Sequence, residues 1–222
     1  MYELYRTWSY SSGTVYRGNP DLAPETAVSW DTAIDQDLWR GARFSGAYFE
    51  NRMSNLIYRR TDPANPKINE YVNAGRAKGR GVELELSQWL TPELKLFANG
   101  TFNNAKVTEN TSKLSTEGKY LTFLPRWTGN GGAEFERGRL TATFVGRYVS
   151  KLYTHDENKD IVTNVPGSYD PYFTADAKMI FRISRLLAFS LSVENILDRD
   201  YFYSYLAPRR SFFAEILVNR TD

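Results

Sequence analysis

The chain has 222 residues, with 28 lysines and arginines against 26 aspartates and glutamates, so its formal charge of +2 gives no sign of a nucleic-acid partner. With no cysteine and one histidine, disulfides, thiolate metal sites and cysteine nucleophiles are excluded, and a zinc site lacks its usual ligands. Aromatic residues make up 15% of the chain although its mean hydropathy is −0.51. Apolar side chains must therefore be dispersed among polar ones, and we expect no membrane-spanning helix.

Alternation of apolar and polar residues with a period of two predicts about nine β-strands. In chain order these cover residues 28–35, 42–58, 82–87, 94–99, 127–135, 140–148, 173–183, 187–195 and 211–218. The pattern is clearest where Leu187, Phe189, Leu191 and Val193 alternate with small or polar residues. The sequence thus predicts an all-β fold, and its strands approach the ~10 residues that cross an outer membrane.

The connections between the predicted strands alternate in length. Short links are expected at residues 35–41, 88–93, 136–139 and 184–186, and long polar links at residues 61–70, 105–124, 154–171 and 196–210. Tight turns at one rim and extended loops at the other are typical of an antiparallel up-and-down transmembrane β-barrel.

Charged residues interrupt the predicted strands at their centres, on the face opposite the aliphatic residues. They are Glu83, Glu85, Lys95, Glu134, Arg147, Asp176, Lys178 and Glu194. Such residues fit either the wet lumen of a large barrel or the solvated face of a soluble sheet, and the period alone does not separate the two. Aromatic residues near strand ends favour the barrel, where they form interfacial girdles: Trp39, Trp127, Tyr148, Tyr153 and Tyr172.

Several motifs resemble those of TonB-dependent outer-membrane receptors of the ferric siderophore type. They are GNPDLAPET at residues 18–26, NRMSNLI at 51–57, YVNAG at 71–75, RGVELE at 80–85, VENILDRDY at 193–201 and PRRSFF at 208–213. The last two are similar to the closing N-x-x-D-x-x-Y and G-R-S-F-F signatures of that family. The motifs occur in the family's order over almost the whole chain, which makes the resemblance specific.

The resemblance implies a barrel of 22 strands around a plug, of which this chain, residues 1–222, supplies nine to ten strands. The chain is therefore identified as the C-terminal part of such a barrel, without the plug domain or a signal peptide. The implied function is uptake of ferric siderophores across the outer membrane of a Gram-negative cell. The implied partners are a ferric siderophore or related metal complex, outer-membrane lipid and lipopolysaccharide, and the TonB complex, which acts through the plug.

The candidate ligand-binding residues lie in or near the long links that form the extracellular rim. They are Arg17, Arg59, Arg60, Arg126, Tyr153, Tyr203, Tyr205 and Arg209. Guanidinium charge and aromatic ring faces suit anionic siderophores with aromatic or hydroxamate groups. The same residue types also anchor barrels at the interface or bind lipopolysaccharide phosphates, so both interpretations stay open.

Other chemistry is weakly represented. Glu83 and Glu85 lie on one strand face about 7 Å apart, a glycosidase-like spacing that two acids in a wet barrel wall also explain. His155 with nearby acids could hold a cation, although a solvated loop is the simpler interpretation. The sequons at Asn110 and Asn219 are treated as chance matches. We expect no catalytic residue, metal site or cofactor.

Two alternatives and two departures from the family pattern remain. The chain could be a soluble all-β binding module with two sheets packed as a sandwich, or a small autonomous outer-membrane barrel. Arg210 stands where the family usually has glycine, which predicts a change at a tight backbone position. Residues 216–222 lack the terminal aromatic residue that is usual in the family.

Overall fold

The computed structural model describes residues 2–218, whose regular secondary structure is almost entirely β-strand. A short helix α1 (Tyr2–Tyr5) comes first, and a single 3-10 turn lies at Leu114–Thr116. The strands are β1 (Trp8–Ser9), β2 (Val15–Arg17), β3 (Thr26–Asp37), β4 (Ala42–Asp62), β5 (Asn65–Trp89), β6 (Leu94–Asn110), β7 (Trp127–Arg137), β8 (Leu140–Val149), β9 (Tyr172–Arg182), β10 (Leu187–Glu194), β11 (Phe202–Tyr203), β12 (Tyr205–Leu206) and β13 (Ser211–Val218). Within residues 2–218, no helix has the length and apolar character needed to cross a membrane.

The main sheet is an antiparallel meander of nine long strands. Each strand from β3 to β10 pairs with the next one along the chain, and β13 pairs with β10. The prediction of about nine antiparallel strands is confirmed. The sheet is not closed within the described residues, because β3 pairs only with β4 and β13 only with β10.

The strand register separates the sheet into one apolar and one polar face. Directly paired residues point to the same side, so pairing places Leu84 and Phe102 on the side that carries most of the aliphatic and aromatic residues of β7 to β10 and of β13. On β9 this face includes Phe173, Ala175, Ala177, Met179 and Phe181. Those five residues span about 27 Å along the strand, enough for a tilted strand to cross most of a ~25 Å apolar band.

The opposite face carries most of the charged and amide side chains of the sheet, beside a few apolar ones such as Phe97, Ile180 and Phe213. Asp35, Glu83, Glu85, Asn99, Glu134, Arg147, Lys178 and Glu215 all lie on it by register. Charged residues contact each other across strands on this face. Lys95 Nζ of β6 lies 3.8 Å from a carboxylate oxygen of Glu134 on the neighbouring β7, and Lys178 Nζ of β9 reaches over β10 to within 3.4 Å of Glu215 on β13. The predicted alternation of apolar and charged faces is thus confirmed in the sheet.

A hydrophobic core is absent from residues 2–218. The buried apolar residues there are six alanines, Val107 and Leu152, while Leu84, Phe144, Phe173 and Phe212 are each 49% exposed or more. A sandwich would bury such side chains between two sheets, but the second sheet is only the two-residue strands β11 and β12. The alternative of a soluble sandwich is therefore wrong.

The long polar link expected at residues 61–70 is also wrong. β4 runs to Asp62 and β5 starts at Asn65, so only Pro63 and Ala64 separate the two strands. The charged residues here pair across the hairpin, as Arg60 Nη2 does with Glu70 Oε1 at 2.6 Å. Because they pair with each other rather than with apolar neighbours, this part of the hairpin lacks the alternating pattern of the other strands.

The family-like motifs contact one another across the start of the sheet. Asn19 Nδ2 donates a hydrogen bond to the carbonyl oxygen of Tyr71 at 2.9 Å, and the N–H of Ile57 donates to Glu25 at 2.8 Å. Asn55, at a bulge of β4, has a φ of +59°, a conformation that asparagine tolerates better than most residues. These contacts tie the segment before β3 to β4 and β5, and so fix the entry of the chain into the sheet.

The closing motif is organised in the same way around Asp198. The N–H of Arg210 donates to Asp198 at 3.1 Å, and the guanidinium group of Arg210 lies 3.7 Å from the same carboxylate. Arg210 is not among the residues with positive φ, so this position does not have a left-handed backbone, and the expected change relative to glycine stays a prediction. Residues 219–222, which include the sequon at Asn219 and the final part of the terminal segment, lie outside the described residues.

Candidate ligand-binding rim

All long connections emerge at one end of the sheet, which we call the rim. It comprises the β1–β2 hairpin, the tip of the β4–β5 hairpin, and residues 111–126, 150–171 and 195–210. The links at the other end are only four, four, two and four residues long, at 38–41, 90–93, 138–139 and 183–186. The rim therefore carries nearly all of the irregular backbone in the described chain.

The first rim cluster brings Arg59 to the β1–β2 hairpin. β2 pairs in parallel with residues 68–70 of β5, which places Tyr16 beside the end of β4. The Arg59 guanidinium carbon lies 5.1 Å from the centroid of the Tyr16 ring, and this ring stacks on Trp8 at 4.9 Å. Arg17 pairs with Glu70 in the same register and is exposed. Three candidate residues, Arg17, Arg59 and Arg60, thus lie at this tip.

The second cluster contains Arg126 and Tyr153. The Arg126 guanidinium carbon lies 4.7 Å from the Tyr120 ring centroid and 5.8 Å from that of Phe102. Tyr153 also stacks on Tyr120, and the centroids of these two rings lie 6.2 Å apart. Tyr153 lies in the β8–β9 loop, away from the strand ends where a girdle was expected, so that expectation is wrong for Tyr153.

The third cluster contains Tyr203. Its ring packs edge-on against Tyr169 at 4.8 Å, and Tyr169 in turn meets Phe123 edge-on at 5.7 Å. Tyr205, the neighbouring candidate, is 83% exposed. Tyr172, another expected girdle residue, lies on the polar face and stacks on Tyr201 at 4.1 Å, so the girdle expectation is wrong there too.

The fourth cluster is an ion-pair network around Arg209. Its guanidinium nitrogens lie 2.9 Å from Asp198 Oδ2 and 3.0 Å from Asp200 Oδ1. The hydrogen bond from the Arg210 N–H, together with the charges of Arg209 and Arg210, lowers the pKa of Asp198 below its ordinary value. Arg209 is thus committed to two acids that hold the closing loop, a structural role the sequence did not indicate.

Acidic residues of the β8–β9 loop are used in loop contacts. Hydrogen bonds from Lys159 and Ser115 lower the pKa of Glu157 to about 2. Asp170 is buried, which by itself raises its pKa, but hydrogen bonds from the N–H groups of Phe202 and Asn164 outweigh burial and lower it. Across residues 2–218, no group of three or more histidine or acidic side chains is arranged to hold a metal ion.

The rim combines guanidinium groups with exposed or half-exposed ring faces in separate clusters rather than in one pocket. Such surfaces bind anionic and aromatic groups through charge and cation–π contacts. Sequence reasoning missed four rings of these clusters, Trp8, Tyr10, Tyr120 and Tyr169. Trp8 and Tyr10 pack against Tyr16, the ring beside Arg59, whereas Tyr120 and Tyr169 contact the candidates Tyr153 and Tyr203 directly. The high density of aromatic residues in residues 8–16 was the available signal for the first two.

Comparison with known proteins identifies the family. The model of the family described as "TonB dependent receptor-like, beta-barrel" matches residues 1–196. The chain belongs to this family. The resemblance seen in the motifs is confirmed, as is the expectation that the chain is not an enzyme, since the named members of the TonB-dependent receptor family are receptors and transporters.

Curated relatives are similar over most of the chain. The ferric enterobactin receptor of Pseudomonas aeruginosa is 26% identical over 212 residues, covering 88% of this chain and 27% of the relative. The metal-pseudopaline receptor of the same species is 25% identical over 194 residues, covering 83% and 26%. An uncharacterized TonB-dependent receptor of Haemophilus influenzae is 23% identical, covering 82% and 53%. The chain thus spans about half or less of the length of these relatives.

Solved structures of TonB-dependent receptors share the fold. The ferric enterobactin receptor of Pseudomonas aeruginosa superposes with a TM-score of 0.74 at 21% identity, covering 92% of this chain and 33% of that one. The ferric citrate transporter FecA gives 0.71 at 20% identity, covering 88% and 31%. The open nine-strand sheet is therefore a partial TonB-dependent receptor barrel.

Proposed function

We propose that the chain forms the C-terminal portion of a receptor barrel in the outer membrane of a Gram-negative cell and contributes to its ligand-capturing rim. One observation carries this proposal. A single sheet with one apolar and one polar face gathers its long connections, with their arginines and stacked rings, at one end. In this family the long loops face the outside of the cell, so the rim would be the first part of the wall that a ligand meets.

Ferric siderophores or related metal complexes are the ligands that these surfaces suit. Relatives are named as receptors for ferric enterobactin, metal-pseudopaline and catecholate siderophores. At the rim, Arg59 with Tyr16 and Arg126 with Tyr120 each present a guanidinium group against a ring. An anionic complex with aromatic groups would gain charge attraction and stacking from both.

Transport itself is proposed for the complete receptor. There the strands of this chain would form part of the wall, and TonB would act through a plug held inside the barrel. The polar face would line the lumen around that plug, and the apolar face would contact outer-membrane lipid and lipopolysaccharide. We expect that the chain alone does not transport.

Replacing Arg59 and Arg60 by alanine in the full-length receptor tests the capture role. We expect at least a tenfold weaker affinity for the cognate ferric siderophore, found by equilibrium binding with a panel of catecholate, hydroxamate and carboxylate complexes. Arg40→Ala is the matched control, because Arg40 lies in the β3–β4 turn at the opposite end of the sheet. Unchanged affinity of the double variant for every complex that the wild type binds would contradict the proposal.

A further inference from the structure

The apolar face changes character abruptly on β4, β5 and β6. Along β5 its residues are Leu86, Leu84 and Val82, and the next two on the same face are Arg80 and Lys78. Pairing is continuous through this stretch, from Val82–Phe102 to Arg80–Asn104 and Lys78–Lys106. No register shift intervenes, so these cations face the same side as the aliphatic residues.

An aromatic row marks the boundary. The rings of Phe102 and Trp127 pack 4.5 Å apart, and Trp30 packs against Tyr48 at 5.4 Å. Aromatic girdles of this kind mark the level of lipid headgroups in membrane barrels. The cations therefore lie one to two same-face positions, about 7–14 Å along the strand, beyond that level on the rim side.

The basic patch, defined as Arg52, Lys78, Arg80 and Lys106, has an excess of positive charge. Glu50 is its acid partner, with Lys78 Nζ at 2.9 Å and Arg52 Nη2 at 2.8 Å from the carboxylate. Four cations against one acid leave a net charge of +3 on this patch. In residues 2–218, no carboxylate lies within 4 Å of the charged groups of Arg80 or Lys106, although Lys106 Nζ does lie 4.7 Å from the Tyr120 ring centroid.

An apolar groove lies next to the basic patch on the same face of the sheet, on the side away from the rim. It has a volume of about 570 Å³ and is lined by Leu84, Leu86, Ala98, Gly100, Phe102 and Trp127 among others. A smaller cavity of about 290 Å³, lined by Lys78, Arg80, Asn104 and Lys106, continues along the same two strands. Gly100 contributes no side chain, which leaves room for an acyl chain between its larger neighbours.

We propose that the basic patch and the groove together form a binding site for a phosphorylated glycolipid of the outer leaflet. Phosphate groups of the headgroup contact Arg80, Lys78 and Lys106, while one acyl chain occupies the groove below Phe102. This proposal specifies which lipid binds to the outer surface of the barrel, and it rests on the proposed outer-membrane location. The patch lies on the face opposite to the lumen and meets the second rim cluster at Tyr120, whose ring contacts both Lys106 and Arg126. Lipid retention and siderophore affinity are therefore measured separately.

The test uses the full-length receptor reconstituted in phosphatidylcholine nanodiscs with bis-phosphorylated lipid A as the probe. Native mass spectrometry measures the lipid retained. We expect Arg80→Gln/Lys106→Gln to lower retention roughly thirtyfold, since each cation near a charged headgroup contributes on the order of 1 kcal/mol, which is about fivefold for each of the two cations. Arg147→Gln/Lys178→Gln is the matched control, because it removes one arginine and one lysine from the polar face. Equal retention by wild type and the first variant would overturn the site.

The wild-type protein gives a second test that does not depend on variants. The wild-type protein should retain dephosphorylated lipid A about as poorly as the Arg80→Gln/Lys106→Gln variant retains bis-phosphorylated lipid A. Equal retention of the two lipid A forms by the wild type would overturn the role of the cations. Equal retention of phosphatidylglycerol would show a general anionic-lipid surface, and displacement of the lipid by inorganic phosphate alone would show a free-anion site. Either result would overturn the glycolipid assignment. Siderophore affinity in the same preparations reports separately on the proposed function.

Discussion

Asn73 and Ala23 exchange two hydrogen bonds across 50 residues of sequence. The Ala23 N–H donates to Asn73 Oδ1 at 2.8 Å, and Asn73 Nδ2 donates to the Ala23 carbonyl oxygen at 2.9 Å. The same Nδ2 also donates to the carbonyl oxygen of Asn55 at 2.7 Å. One side chain thus joins three of the motifs by which the family is recognised.

Asn73→Ala should loosen the segment before β3. Loss of three hydrogen bonds at a half-buried position is expected to cost about 1–2 kcal/mol of unfolding free energy. Hydrogen exchange in the full-length receptor should show faster exchange at residues 19–25. Asn69→Ala is the control, because Asn69 contributes one exposed contact with Thr61. If hydrogen exchange at residues 19–25 of the Asn73→Ala variant is as slow as in the wild type, Asn73 does not hold this segment in place.

Asn195 should be the most sensitive residue of the closing loop. It is 5% exposed, its side chain bonds to backbone groups of Arg199 and Pro208, and its φ is +50°. Asn195→Ala loses these bonds and adds backbone strain, together about 2–3 kcal/mol. Asn195→Gly loses the bonds alone and should cost less. Trypsin cleavage after Arg199 should be fastest in the alanine variant, and equal rates in both variants would exclude the strain.

Gly81 should not tolerate a side chain. A Cβ atom there would lie 2.2 Å from the carbonyl oxygen of Phe102 and 2.4 Å from Cζ of Phe49. Gly81→Ala is expected to lower the temperature at which the full-length barrel unfolds, as seen by heat-modifiable gel migration. Gly129→Ala is the control, because its nearest contact would be 3.4 Å. Equal unfolding temperatures for the two variants would show that the sheet adjusts to a methyl group at Gly81.

The β8–β9 loop should loosen only in acid. The pKa of Glu157 falls from 4.5 to about 2 on folding, so its stabilising effect is complete above pH 4.5 and is lost as the pH falls towards 2. In the full-length receptor, with any cysteine outside this chain replaced by serine, Val162→Cys allows a single spin label in the loop, because this chain has no cysteine of its own. Label mobility should stay constant from pH 7 to about 5 and rise below that, and Glu157→Gln should show the mobile spectrum already at pH 7. A wild-type transition near pH 6 would contradict the assignment to Glu157.

Expressed alone, the chain should aggregate rather than insert. β3 and β13 each leave one edge without a partner in the described sheet, and unpaired edges pair with other chains. We expect inclusion bodies. Heat-modifiable migration and steady conductance of the reconstituted chain would contradict this expectation.

Local alternation was sufficient to predict the strands in which one face is uniformly apolar. β8, β9 and β10 follow the predicted boundaries within a residue or two. The β4–β5 hairpin was underestimated, because beyond Glu50 and Arg80 both faces carry polar residues and the period disappears. β1 and β2, with two and three residues, are too short to show any period.

The rim was predictable only as a composition. The contact of Arg59 with Tyr16 joins residues 43 positions apart, and it depends on the parallel pairing of β2 with β5. No local sequence pattern predicts that pairing of strands. The motifs located the segments that hold the rim, whereas the ring partners of each arginine became visible only once the strands were placed.

The two open edges mean that this chain does not determine the diameter of its own pore. The circumference of a barrel grows with the number of strands it contains. The two edge strands, β3 with twelve residues and β13 with eight, only provide the edges to which further strands pair. Selection for a larger or smaller cargo can therefore act on strands elsewhere in the receptor, while this wall keeps its register unchanged.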